Sequence, residues 1–518
     1  MEILDTTLRD GAQCEGISFS LSDKMKIVKA LDNFGVDLIE AGNPFSNPKD
    51  AEFFKEAKKL RLLRARLVAF GSTRRKGVMA EDDEGLKALI GADTPCVAIF
   101  GKCSKMHVQE ILKVSLDENI EMVGDTVRFV KSFGKEVIFD AEHFYDGYKD
   151  SPEYALKVVE KAILSGADTV CLCDTNGGTM PDEIYAITKD VVGRFGGVRI
   201  GTHFHNDTGC AVANACIAVK AGAEHIQGTV NGIGERCGNT DLISVIANLN
   251  LKLGIDTSSK IESLTSLSRA VGEISNVAID KRKPYVGSSA FAHKGGMHID
   301  GVNKLSESFE HVRPESVGNR RRFLLSEVSG KNALLLKLKN ISNDVEKDDP
   351  ILGEILAKLK ELEAYGYQFE GADASFELLV KRMMGEFKEH FKLVMYKTNE
   401  ECPAPEGERN SFAFVKISVG DVCEVSAAQG NGPVNALDTA LRKALKVFYP
   451  SLENVELVDY KVRVLDTGSA TGSKVRVLIE SGTDGKRWTT VGVSTDIIEA
   501  SWSALVDSIE YYLSKENI

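Results

Sequence analysis

The chain has 518 residues, 43% hydrophobic and 27% charged, a globular composition long enough for two or three domain-sized units. Its formal net charge of −12 argues against nucleic acid or a membrane surface as the main partner, because both need a basic face. Ten cysteines occur without CxxC pairs or the dense spacing of a secreted scaffold, so a reduced, cytoplasmic setting without a disulfide framework is expected. Apolar runs fall short of the roughly twenty residues of a membrane span, and a first strand opening at Ile3 leaves no room for a signal peptide.

Strand-like segments recur about every thirty residues: Glu2 to Thr7, Asp37 to Ala41, Arg66 to Phe70, Cys96 to Phe100, Glu136 to Ala141, Asp168 to Cys173, Arg199 to His205 and His225 to Val230. Helical stretches such as Asp23 to Phe34 and Pro152 to Leu164 lie between them. The alternation predicts an α/β fold, a (β/α)8 TIM barrel over residues 1–256, with its active site at the C-terminal ends of the strands.

Those strand ends carry chemistry. The first leads into Arg9-Asp10-Gly11, the fifth ends in Glu142, the sixth in Asp174-Thr175-Asn176, and the eighth runs into Gly232-Ile-Gly-Glu-Arg-Cys-Gly-Asn239. The seventh ends in His203-Phe204-His205, whose imidazoles leave one face of a strand. Closure makes strands seven, eight and one neighbours, so Asp10, His203, His205 and Asn239 form one predicted divalent-metal site. That donor set suits Mn, Mg or Zn and keeps positions open for substrate. Cys171 and Cys173 share a face of the sixth strand and read as buried small side chains.

After Asp256 the rhythm stops, and residues 257–390 read as helical linker subdomains. Residues 391–518 change again to short strands such as Ser411 to Val419, Val462 to Leu465 and Lys474 to Ile479, a small α+β domain. Asn435 to Leu441 and Glu499 to Leu505 each open a helix after strands, with matched small residues, and suggest two copies of a strand-strand-strand-helix unit.

Four motifs carry a resemblance over nearly the whole chain: Leu8-Arg9-Asp10-Gly11-x-Gln13, Thr202-His203-Phe204-His205-Asn206-Asp207, Gly232-x-Gly234-Glu235-Arg236-x-Gly238-Asn239 and Ala292-His293-Lys294-x-Gly296-Met297-His298-x-Asp300-Gly301. They resemble the alpha-isopropylmalate synthase and homocitrate synthase superfamily. Within it, Phe70 to Lys76 and Phe139 to Tyr148 resemble the long citramalate synthases more than the isopropylmalate enzymes.

The resemblance implies an acyltransferase that condenses acetyl-CoA with a 2-keto acid, here pyruvate, and hydrolyses the thioester. It assigns Arg9 to the oxygen that becomes an alkoxide, Glu142 to anchoring or proton transfer, Thr175 to the substrate carboxylate and His298 to proton abstraction. Imidazole, with an ordinary pKa near 6.5, suits that last task. Phe70 and Phe100 are candidates to limit the keto acid's size, and Asn43 is a further candidate substrate contact. The same resemblance implies a homodimer whose C-terminal regulatory domain binds an amino-acid effector, isoleucine for a citramalate enzyme. Gln429 to Pro433 and Gly468 to Gly472 are candidate loops for it. Where the family has a tyrosine before an acidic residue, this chain has Phe309-Glu310, and Tyr145 and Tyr148 are the candidate replacement hydroxyls. Competing readings are a 2-isopropylmalate synthase using 2-oxoisovalerate, a metal-dependent lyase, and an amino-acid sensor without catalysis.

Overall fold

The computed structural model describes residues 1–324, 331–338, 341, 346, 349–402, 411–465, 471–483 and 486–516. These fall into two compact units: Met1–Phe291 with Glu310–Arg321, and Ala292–Phe309 with Arg322 onward.

The first unit is a closed barrel of eight parallel strands. They are β1 (Glu2–Asp5), β2 (Leu38–Glu40), β3 (Arg66–Ser72), β4 (Cys96–Lys102), β5 (Glu136–Glu142), β6 (Thr169–Asp174), β7 (Arg199–Phe204) and β8 (His225–Gly228). β8 closes on β1 with Glu2 opposite His225 and Asp5 opposite Gly228. Side-chain alternation sorts each strand into an outer and an inner set. Outward residues such as Ile39, Val97, Val137 and Val170 pack against the surrounding helices. The inward set is layered. At the N-terminal end an ionic layer joins Glu2, Arg66, Glu136, Arg199 and His225. Above it lies an apolar layer of Leu4, Leu38, Val68, Ala98, Ile138 and Cys171. Two residues further along the strands the inward positions become Glu40, Phe70, Phe100, Asp140, Cys173, His203 and Gln227. The apolar middle layer keeps the functional end separate from the ionic floor, as expected of a packed barrel interior.

Local signals set the helices. Leu21–Phe34 starts at a reciprocal Ser20–Asp23 capping box and ends at Gly35 in the left-handed region (φ 100°), while Ile27, Val28, Leu31 and Phe34 are buried. The next-to-last barrel helix, Ala211–Lys220, is lined by Ala211, Ala215 and Ala218, small residues that are fully buried.

The second unit contains the two-residue strands β9 (Ala292–His293) and β10 (Arg322–Phe323), then helices including Gly296–Lys304, Pro350–Tyr365 and Asp373–Met383. Two antiparallel sheets follow, β11 (Lys392–Glu400), β12 (Ser411–Val419) and β13 (Val422–Gly430), then β14 (Glu456–Val464), β15 (Val475–Thr483) and β16 (Lys486–Ser494). Each is followed by a helix, Pro433–Leu445 and Ile497–Lys515, so the expected strand-strand-strand-helix repeat is present twice. The matched small residues have a packing reason. A Cβ on Gly430 would lie 2.3 Å from the Ala436 nitrogen, and one on Gly492 would lie 2.0 Å from the Ala500 carbonyl oxygen. Helix and strand therefore touch through their backbones in both copies. The repeats share one core that includes Val415, Leu441, Ile479, Trp488, Trp502 and Leu505. Of the two candidate effector loops, Gly468 to Gly472 lies mostly outside the described residues. No helix among the described residues is long and apolar enough to cross a membrane.

Candidate active site

The C-terminal mouth of the barrel holds a cavity of ≈ 270 Å³ lined by Arg9, Asp10, Gln13, Phe70, Phe100, Asp140, Glu142, Cys173, Thr175, His203, His205, Glu235 and Arg236. Donor atoms of Asp10, His203 and His205 all lie within 4.8 Å of one another, and all three residues are buried. His203 Nε2 faces Asp10 Oδ2 at 3.1 Å. Asn239, on the loop after β8, donates from Nδ2 to Asp10 Oδ2 at 2.6 Å and pairs through its backbone with His205. Gly238 makes that return possible: its φ is +87°, and a Cβ there would strike the Gly232 carbonyl oxygen at 2.1 Å. The glycines of this segment thus fold the loop back on itself.

These residues fit a divalent cation. His205 Nδ1 and Asn239 Oδ1 are buried without a hydrogen-bond partner, donor atoms of the kind a cation satisfies. Burial opposes ionisation of Asp10, but the adjacent Arg9 and the contact from His203 outweigh it and hold its carboxyl well below the usual range. Burial, helped by His203, lowers His205 to about 4, which keeps it neutral and able to ligate.

Arg9 is fixed from three sides. Its Nε donates to Glu40 Oε2 at 2.5 Å, its Nη1 lies 3.5 Å from Asp10, and its guanidinium carbon sits 3.8 Å from the centre of the Phe70 ring. Phe70 stacks on Phe100 with centroids 5.3 Å apart, so the two rings form one wall. Glu142 meets Lys102 at 2.5 Å, and Thr175 accepts from the His143 amide at 2.9 Å. Arg236 ties the mouth together by donating to the Thr175 carbonyl and to Asp207.

Other candidates lie elsewhere. Asn43 lines a neighbouring cavity that shares Arg9, Gln13 and Phe70 with the first, and its Oδ1 accepts from the Phe45 and Ser46 amides in its own turn. The Tyr145 hydroxyl bonds Thr188 and that of Tyr148 donates to Asp190, so both are committed to the helix Pro181–Arg194 rather than to the cavity. His298 belongs to the second unit, where its ring stacks on Phe309 with centroids 4.2 Å apart. Sequence reasoning passed over Glu40, Asp140 and Gln227, although each keeps the inward parity of a strand already identified.

Residues 1–271 match the HMGL-like family, 285–366 a homocitrate synthase post-HMGL domain-like family, and 370–513 the LeuA allosteric (dimerisation) domain. The chain is 52% identical to an (R)-citramalate synthase of Aquifex aeolicus, covering 99% of this chain and 98% of that protein. A second (R)-citramalate synthase, from Geobacter sulfurreducens, is 48% identical over the same shares. A probable 2-isopropylmalate synthase of Methanopyrus kandleri is 34% identical, covering 98% of this chain and 97% of that protein. Full-length similarity to these synthases defines the class: a biosynthetic transferase. The chain belongs to the HMGL-like family and, within it, to the (R)-citramalate synthases.

Proposed function

We propose that the barrel condenses acetyl-CoA with pyruvate and hydrolyses the thioester, releasing (R)-citramalate and CoA. Citramalate synthesis is the activity of the family to which the chain belongs. The observation that supports the site assignment is the gathering of Asp10, His203 and His205 beside Arg9, in a cavity walled by Phe70 and Phe100.

Asp10, His203 and His205, with Asn239 beside them, would hold a divalent ion. Bound there, Mn, Mg or Zn supplies Lewis acidity toward the keto acid's oxygens. Thr175 receives the carboxylate, and the stacked rings of Phe70 and Phe100 leave room for a methyl group in preference to an isopropyl group. His298, brought from the linker subdomain of the partner subunit, takes a proton from the acetyl methyl, and the resulting carbanion attacks C2 of pyruvate. Arg9, already fixed by Glu40, stabilises the negative charge that grows on the C2 oxygen. Glu142 orients or protonates that oxygen, and water then cleaves the thioester to carboxylate and free thiol.

We assign catalysis to residues 1–256, a helical linker to 257–390 and regulation to 391–518. The regulatory part takes isoleucine and joins two subunits in the cytoplasm, a reading supported by the LeuA allosteric (dimerisation) match. The test is release of free CoA from acetyl-CoA with pyruvate or 2-oxoisovalerate, with Mn or Mg, with and without isoleucine. Pyruvate-dependent release that isoleucine suppresses supports the reading. Preference for 2-oxoisovalerate overturns it.

A further inference from the structure

We infer that Gln227 and Asp140 are positioning residues that set the tautomer and aim of His203. The inference rests on the metal-site reading given above.

Asp140 and Gln227 stand on β5 and β8, three strands apart around the barrel, yet Gln227 Nε2 donates to Asp140 Oδ1 at 2.7 Å. On its other side Gln227 Oε1 faces His203 Nδ1 at 3.0 Å. His203 Nε2 in turn faces Asp10. The four side chains form one continuous polar row across the barrel interior, and each is 6% exposed or less. Within the row each side chain finds a partner in its neighbour.

An amide can present either its oxygen or its nitrogen. In this row its direction is fixed from the far end, because a carboxylate can only accept and so draws the NH2 group to itself. The carbonyl oxygen is left for His203, which must place its hydrogen on Nδ1. That leaves the lone pair of Nε2 aimed at the Asp10 side, where a cation would be held. Ligating histidines generally owe their orientation to such a partner, and losing it typically costs about 10–100-fold in metal affinity. Apolar neighbours would serve equally well if Gln227 were there only to fill space.

The experiment measures Mn(II) affinity of the full-length protein without substrates, by titration of the free-ion electron paramagnetic resonance signal. Gln227→Met keeps the volume and removes both hydrogen bonds, and we expect Mn(II) to bind about 10–100-fold more weakly. Gln227→Glu retains an acceptor for Nδ1 and should recover part of the loss. Asp140→Asn frees the amide to turn over and should weaken binding by a smaller factor. Combined with Gln227→Met it should add nothing, because both act through the same imidazole. Two results would overturn the inference: Gln227→Met binding Mn(II) as wild type does, or the Asp140 and Gln227 losses simply adding. The underlying metal site is checked separately with His203→Ala. If wild type and His203→Ala bind Mn(II) alike, the metal-site reading fails and the positioning role fails with it. If His203→Ala alone loses the metal, only the positioning role is refuted.

Discussion

Replacing Arg9 by Met removes the cation that faces Glu40 and Asp10 at the barrel mouth, while keeping an unbranched stem to pack on Phe70. With an effective dielectric of about 20, attraction at the observed 2.5 Å to Glu40 is about 7 kcal/mol, and at 3.5 Å to Asp10 about 5 kcal/mol. The net effect is smaller, because the guanidinium also no longer has to be desolvated. Removing one partner of a buried pair typically costs about 3–5 kcal/mol. For a barrel of this size that corresponds to a melting temperature lower by about 5–10 °C. The loss should depend on pH. Burial, reinforced by Asp140, already raises the Glu40 pKa against the pull of Arg9, and without Arg9 it rises further. A group whose folded pKa is raised stabilises the fold below its unfolded pKa and loses that contribution as pH climbs through the folded value. The deficit of Arg9→Met relative to wild type should therefore be larger near about pH 8 than near about pH 6. Thermal denaturation followed by circular dichroism at both pH values decides this. A deficit that is absent, or that is greater at the lower pH, refutes the electrostatic account of Arg9.

His203→Ala and His205→Ala should each abolish the rise in melting temperature that Mn(II) gives wild type, a rise worth about 2.7 kcal/mol at a hundredfold excess over Kd; a scan with and without chelator measures it. Phe100→Ala removes half of the stacked wall and should shift kcat/KM toward 2-oxoisovalerate relative to pyruvate by about 10–200-fold, read from CoA release. Leu441→Ala, at a fully buried position of the C-terminal core, should lose about 2–5 kcal/mol of stability in urea. It should weaken suppression by isoleucine, while Mn(II) binding at the barrel stays at the wild-type level.

Much of the molecule is written locally in the chain. Barrel strands announce themselves as short apolar runs at even spacing, and alternation alone places Glu142 inward at the functional end of β5 and His203 inward on β7. The two C-terminal repeats are legible for the same reason, since small residues at Ala436 and Ala500 mark where helix and strand backbones meet. Closure of the barrel then follows from the number of strands, and closure is what brings Asp10 to the histidine pair.

Tertiary structure alone decided what depends on direction across the barrel. Nothing local to Gln227 says that its amide meets Asp140, eighty-seven residues earlier, because that contact exists only when β5 and β8 face each other through a packed interior. Likewise Tyr145 and Tyr148 sit close in sequence to Glu142, yet helical geometry turns their hydroxyls toward Thr188 and Asp190 and away from the cavity. Asn43 follows a strand end as the other candidates do, but its short side chain closes its own turn by accepting two backbone hydrogens. Periodicity tells which face of an element a residue occupies; the partner it finds there is set by elements far away in the chain.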